Sequence, residues 1–97
     1  MTVVRRLVWE AWNLVHVAKH GVTREEVEEV CHGPFITREA YAGRLMLIGP
    51  TSAGRMLAVV LEPVEGGVYY PVTGRPASRK ERRRYRDERR RDESEET

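Results

Sequence analysis

A chain of 97 residues, 33% charged and 40% hydrophobic, has room for one small core rather than two. Its single cysteine, Cys31, excludes an internal disulfide and suits a reducing compartment. No apolar run reaches the roughly 20 residues of a membrane-spanning helix. The net charge of +2 hides a strongly basic segment, because the arginine-rich run 79–91 is offset by the acidic residues directly after it.

The chain opens on a β-leaning segment, Val4 to Trp9, in which Arg5 and Arg6 predict a solvated face or edge. Trp9-Glu10-Ala11-Trp12-Asn13 interrupts this apolar stretch too early for a signal peptide. From Glu10 the period becomes helical. Ala11, Leu14, Val15 and Ala18 form an apolar stripe, and Glu10, Asn13, His16 and Lys19 fall outside it. Gly21 predicts a left-handed cap closing a helix of Glu10 to His20, with Lys19 and His20 in a last turn that favours cations. Thr23-Arg24-Glu25-Glu26 is a capping box. The helix it opens runs to about His32 on an apolar stripe of Val27, Val30 and Cys31, and Gly33-Pro34 stops it.

Phe35 to Thr37 favours a strand, and Glu39 to Gly43 reads as a turn. Three strands then follow with short turns between them: Arg44 to Gly49, Arg55 to Leu61, and Val68 to Thr73. They predict an antiparallel meander whose apolar face the two early helices cover. Pro71 points to an edge or a bulge in the last strand. Gly74-Arg75-Pro76-Ala77 reads as a turn into a basic helix with Ser78 as its N-cap. Beyond Arg86 the charge density predicts fraying, with residues 92–97 a disordered acidic tail on a single domain of residues 1–91. The fold class is α+β.

Several residue types here suit phosphate chemistry. Arginine pairs phosphate oxygens bidentately and never deprotonates. Arg75 sits at a junction between a strand and a helix N-terminus, where anions are favoured. Arg44 and Arg55 begin adjacent strands, where ordinary solvation beside a turn is one reading and a shared phosphate-facing surface the other. The helix after Ser78 carries Arg79, Arg82 and Arg83, and its interleaved Glu81, Asp87 and Glu88 predict helical charge pairing as well. His16 and His20 lie at i, i+4 but have no third ligand at recognisable spacing, so neither a metal nor a cofactor is expected. Trp9 and Trp12 suit burial, with base stacking the alternative. Tyr85 suits packing of the last helix, with catalysis the alternative.

Taken together, these segments resemble the BrnT family of bacterial toxins in the RelE-like ribonuclease group. The family's early pattern is matched by Trp9, Asn13, Lys19-His20-Gly21-Val22 and Glu25-Glu26. Its middle pattern is matched by Arg44, Gly49, Gly54-Arg55 and Val59-Val60. Its final pattern, Ser-Ala-Arg-Lys-Ala before a helix with Glu-Arg and Tyr, is matched by Arg75, Ala77, Glu81-Arg82 and Tyr85. The chain departs from it at Thr73-Gly74, which stand for Ser-Ala, and at Pro76, which stands for Lys.

The resemblance implies a small RelE-like domain in the cytoplasm. It implies a metal-independent ribonuclease that arrests translation until a small antitoxin-like protein covers it, with dimerisation through that partner. Arg75, His20 and Tyr85 would then be catalytic. Lys19, Arg44, Arg55, Arg79, Arg82 and Arg83 would hold RNA phosphates. The substituted junction keeps a second reading open, a non-catalytic RNA- or protein-binding module on the same fold.

Overall fold

The first helix is set by a buried asparagine. In the computed structural model, which describes residues 2–95, α1 spans Ala11–Ala18. Asn13 is fully buried. Its Oδ1 accepts from the Glu10 N–H at 2.8 Å and its Nδ2 donates to the Val8 carbonyl at 2.9 Å. A buried amide needs both kinds of partner, and the chain entering the helix supplies them. The helix is therefore rotated away from the expected stripe. Asn13 and Val17 face inward, while Trp12, Leu14 and Val15 stay exposed. Gly21, at φ +71°, closes the helix as expected. The Val22 N–H reaches back to the Val17 carbonyl at 3.2 Å.

The second helix, α2, spans Arg24–Cys31, and its capping box forms as the sequence predicts. The Glu26 N–H donates to Thr23 Oγ1 at 3.1 Å and the Thr23 N–H to Glu26 Oε1 at 3.0 Å. Val27, Val30 and Cys31 are its buried face.

Five strands form one sheet, ordered β1-β5-β4-β3-β2. They are β1 (Arg6–Leu7), β2 (Ile36–Glu39), β3 (Leu45–Pro50), β4 (Met56–Pro63) and β5 (Val68–Pro76). All neighbours are antiparallel except β1 and β5. Only Arg6 and Leu7 of the expected Val4–Trp9 strand pair with β5, flanked by single bonds from the Arg5 and Val8 N–H groups to the Gly67 and Tyr69 carbonyls. The meander β3-β4-β5 has the expected order, but β5 runs three residues past Thr73 and carries Arg75 within the strand rather than in a turn. The register slips between Val60 and Leu61, which face Thr73 and Pro71 in turn. Pro71 thus lies beside a bulge.

Strand alternation sends side chains to two faces, and both are covered. On one, Leu47, Leu57, Val59 and Leu61 pack with Val17, Val22, Val27 and Val30 from the helical pair. On the other, Ile36, Ile48 and Ala58 pack with Ala77, Met46, Met56 and Tyr85. This second face lies under α3 (Arg79–Glu95), the basic helix. The helical pair thus covers one face as the sequence predicts, and α3 adds a cover on the other. Helix α3 also continues beyond Arg86 to Glu95 instead of fraying there. Tyr85, Arg38–Glu88 and Arg89–Asp92 contacts hold successive turns. Glu96 and Thr97, the end of the expected acidic tail, lie outside the described residues, as does Met1.

Gly74 marks where the helical pair meets β5. A Cβ there would sit 3.5 Å from Val27 and 3.6 Å from Val17 and Val22, ordinary contact distances. Gly74→Ala, which restores the residue of the BrnT pattern, should leave urea-induced unfolding unchanged or raise stability by about 0.4–1 kcal/mol. Gly74→Leu should overpack the same space and lower stability by about 1–3 kcal/mol.

Candidate nucleic-acid interface

The arginine at the end of β5 is held by its own helix. Arg75 Nη1 and Nη2 donate to Glu81 Oε1 and Oε2, both at 2.8 Å. Glu81 is also the third residue of the α3 capping box. It accepts from the Ser78 N–H at 2.8 Å, while its own N–H donates to Ser78 Oγ at 3.2 Å. One carboxylate therefore joins the strand end, the N-cap and the first helical turn. Hydrogen bonding from Arg75 is the main cause that holds the Glu81 carboxyl down at about 2; burial opposes it and the Ser78 N–H assists it. The Arg75 guanidinium is raised correspondingly, chiefly by Glu81.

The other strand-borne arginines are paired in the same manner. Arg55 Nη1 donates to the Gly21 carbonyl at 2.9 Å and to Glu26 Oε2 at 3.0 Å, tying the start of β4 to the elbow between α1 and α2. The Glu26 carboxyl is lowered, first by the Thr23 N–H and then, against burial, by Arg55. Arg44 donates to Glu62 at 3.2 Å and lies 4.9 Å above the Tyr41 ring. Arg38 pairs with Glu88 of α3.

Placement separates residues that the sequence groups together. Arg44 precedes Leu45, which faces Leu61, whereas Arg55 precedes Met56, which faces Pro50. The antiparallel register thus puts Arg44 and Arg55 at opposite ends of the β3–β4 pair, not on one surface. Arg75 faces Ala58 across β4–β5, on the α3 side of the sheet. Lys19 and His20 are exposed at the end of α1, which packs on the opposite side. The sheet stands between His20 and Arg75. Tyr85 shares the α3 side with Arg75; it is half-buried and its hydroxyl donates to the Pro34 carbonyl at 3.3 Å. Arg79 and Arg83 are exposed on α3, and Arg82 Nη1 donates to the Ala77 carbonyl at 2.8 Å.

What the structure adds is a pocket of about 450 Å³ where α3 passes the Met56 end of β4. Met56, Arg82, Tyr85, Arg86, Arg89 and Arg90 line it. In the sequence Arg86 and Arg89 belong only to the general basic run, although Arg82, Arg86 and Arg89 stand at i, i+4, i+7, one helix face. The missing information was which face of α3 turns toward the sheet.

Of the aromatic residues, Trp9 is half-buried, with its Nε1 donating to Glu28 at 2.8 Å. Trp12 is exposed and stacks on Tyr70, the ring centroids 6.3 Å apart. Cys31 is buried in the core, and burial pushes its thiol up to about 12. Among the described residues no three His, Cys, Asp or Glu side chains gather as metal ligands, and no helix is long and apolar enough to cross a membrane. Comparison with protein-family models, curated proteins and solved structures yields no match.

The Glu81 lock has a pH signature. A carboxyl whose folded value lies below its unfolded one stabilises fully above the unfolded value, here 4.5, and loses that stabilisation as pH falls toward about 2. Allowing for solvent screening at a half-exposed arginine, the pair contributes about 2 kcal/mol. Urea unfolding of the wild type should therefore weaken by about that amount between pH 5 and pH 2, in excess of Glu81→Gln, which should be weaker at pH 7 and flatter below it. Separately, Cys31 should resist iodoacetamide at pH 8 in the folded protein and react once it is unfolded, as followed by mass spectrometry.

Proposed function

We propose that the chain is a BrnT-like toxin domain that cleaves RNA without a metal and is neutralised by a small, acidic, antitoxin-like protein. The observation that carries this reading is the guanidinium row on α3, set on a small α+β domain. Polyanions bind such rows through phosphate contacts and counterion release. The exposed Trp12, Leu14 and Val15 add an apolar surface beside β5 that suits a covering protein.

In this reading the neighbouring 2′-oxygen attacks phosphorus and the bond to the 5′-oxygen breaks. The 2′-hydroxyl proton passes to a base and a proton reaches the departing oxygen. Arg75 meets charge growing on the phosphoryl oxygens. To do so it shares or exchanges its Glu81 partner, which retains the Ser78 N–H. Tyr85 lies on the same side of the sheet as Arg75, with its hydroxyl on the Pro34 carbonyl, and His20 lies on an element packed against the other side.

The occupied Arg75 favours the second reading, a non-catalytic binding module. One pair of variants separates the two. Arg75→Ala and Glu81→Gln both break the ion pair, so both lose its stabilisation. If Arg75 holds the scissile phosphate, Arg75→Ala lowers cleavage by about a hundred- to a thousandfold, whereas Glu81→Gln, which frees the arginine, retains it. Cleavage of RNA is measured with and without ribosomes, at a temperature where both variants are folded. Wild type that cuts nothing under either condition, and whose expression leaves bacterial growth and translation unchanged, rules out the toxin reading.

A further inference from the structure

The acidic residues of α3 are not spread evenly around it. Glu81 and Glu88, seven residues apart and on one helix face, are taken by Arg75 and Arg38 of the sheet. Among the described residues, the pocket on the other flank is lined by Arg82, Arg86, Arg89 and Arg90 together with Met56 and Tyr85. On that flank Arg89 Nη1 lies 3.9 Å from Asp92, and Arg82 Nη1 donates to the Ala77 carbonyl at 2.8 Å. Guanidinium groups gathered along one concavity make a cationic rim that a chain of phosphates can follow. Between the arginines, the lining is not polar. Met56 supplies an apolar wall, and the ring of Tyr85 is pinned by its bond to Pro34 and by packing against Ile36, Ile48 and Ala58. A volume of about 450 Å³ falls within the range of small-ligand pockets, roughly 300–1,000 Å³.

We infer that this pocket takes one unstacked nucleotide of single-stranded RNA, the base against Tyr85 and Met56 and the flanking phosphates on Arg86 and Arg89. The inference rests on the reading of the chain as an RNA-directed protein. Single strands are held by this combination of a pinned aromatic ring and a cationic rim. A duplex keeps its bases stacked inside and offers only phosphates, leaving the apolar wall unused. An acidic protein segment would use the arginines but not the ring.

The test is fluorescence anisotropy with four labelled probes: an eight-nucleotide single-stranded RNA, an abasic strand with the same number of phosphates, a duplex of equal length and a glutamate-rich peptide. Wild type should bind the intact single strand most tightly. Tyr85→Leu should weaken that binding about tenfold while leaving the abasic strand unaffected, and Tyr85→Trp should restore it. The double variant Arg86→Gln/Arg89→Gln should lower the salt dependence by about 1.4 in log–log slope, at about 0.7 for each phosphate contact on a single strand. Arg84→Gln removes a charge from the other flank, beside Arg38 and Met46, and should leave the preference for intact over abasic RNA unchanged. Circular dichroism melts confirm folding. If Tyr85→Leu does not fold, the arginine double variant and the abasic comparison carry the test.

Equal binding of intact and abasic strands overturns the pocket assignment, as does wild-type affinity in both the tyrosine and arginine variants. Either result leaves the RNA reading standing. Tighter binding of the peptide than of any RNA overturns the pocket in favour of a protein ligand. Wild type that binds none of the RNA probes overturns both the pocket and the RNA reading.

Discussion

The structure depends on two consecutive residues of β5 that point in opposite directions. Gly74 faces the helical pair and leaves the space that the methyl groups of Val17, Val22 and Val27 approach. Arg75 faces the other way and takes Glu81, the third residue of α3, through both of its terminal nitrogens. The alternation of a strand makes this inevitable once either side chain is placed. The helical pair is seated on one face of the sheet, and the basic helix is anchored to the other, by adjacent positions.

Anchoring α3 at Glu81 also divides its charge. Glu88 follows two turns later on the same side and meets Arg38. The carboxylates nearest the sheet are consumed in pairing with strand arginines, and the guanidinium groups on the remaining flank gather around Tyr85 and Met56. A helix that is nearly all charge thus has a side paired to the sheet and a flank that lines a pocket. Its capping box serves both, because Glu81 closes the helix end and fixes its rotation about the sheet.

The same pairing limits what the strand arginines do. Arg55 holds the elbow between α1 and α2, and Arg44 is shared between Glu62 and Tyr41. An arginine already satisfied by a carboxylate must exchange that partner before it meets a phosphate, and the exchange costs free energy. The α3 flank faces no such exchange at Arg86. This difference in prior occupation, more than the number of arginines, separates the α3 flank from the arginines that hold the fold together.

Much of the local structure was legible in the sequence because its causes are local. The Thr23–Glu26 capping box, the Gly21 cap, the Ser78 N-cap and the meander with its irregularity at Pro71 all depend on residues a few positions apart. The inward face of α1 was not legible. The apolar stripe of Leu14 and Val15 pointed one way, and the buried amide of Asn13, with partners at Val8 and Glu10, decided another. Nor could the candidate site be read from spacing alone. Its residues carry the right chemistry, but a sheet separates His20 from Arg75 and an antiparallel register separates Arg44 from Arg55. Propensity and capping act within a turn or two of helix and are written in the order of residues. The faces of a sheet, the rotation of the helices upon it and the partner each arginine finds are set by contacts between distant segments, and only the tertiary structure decided them.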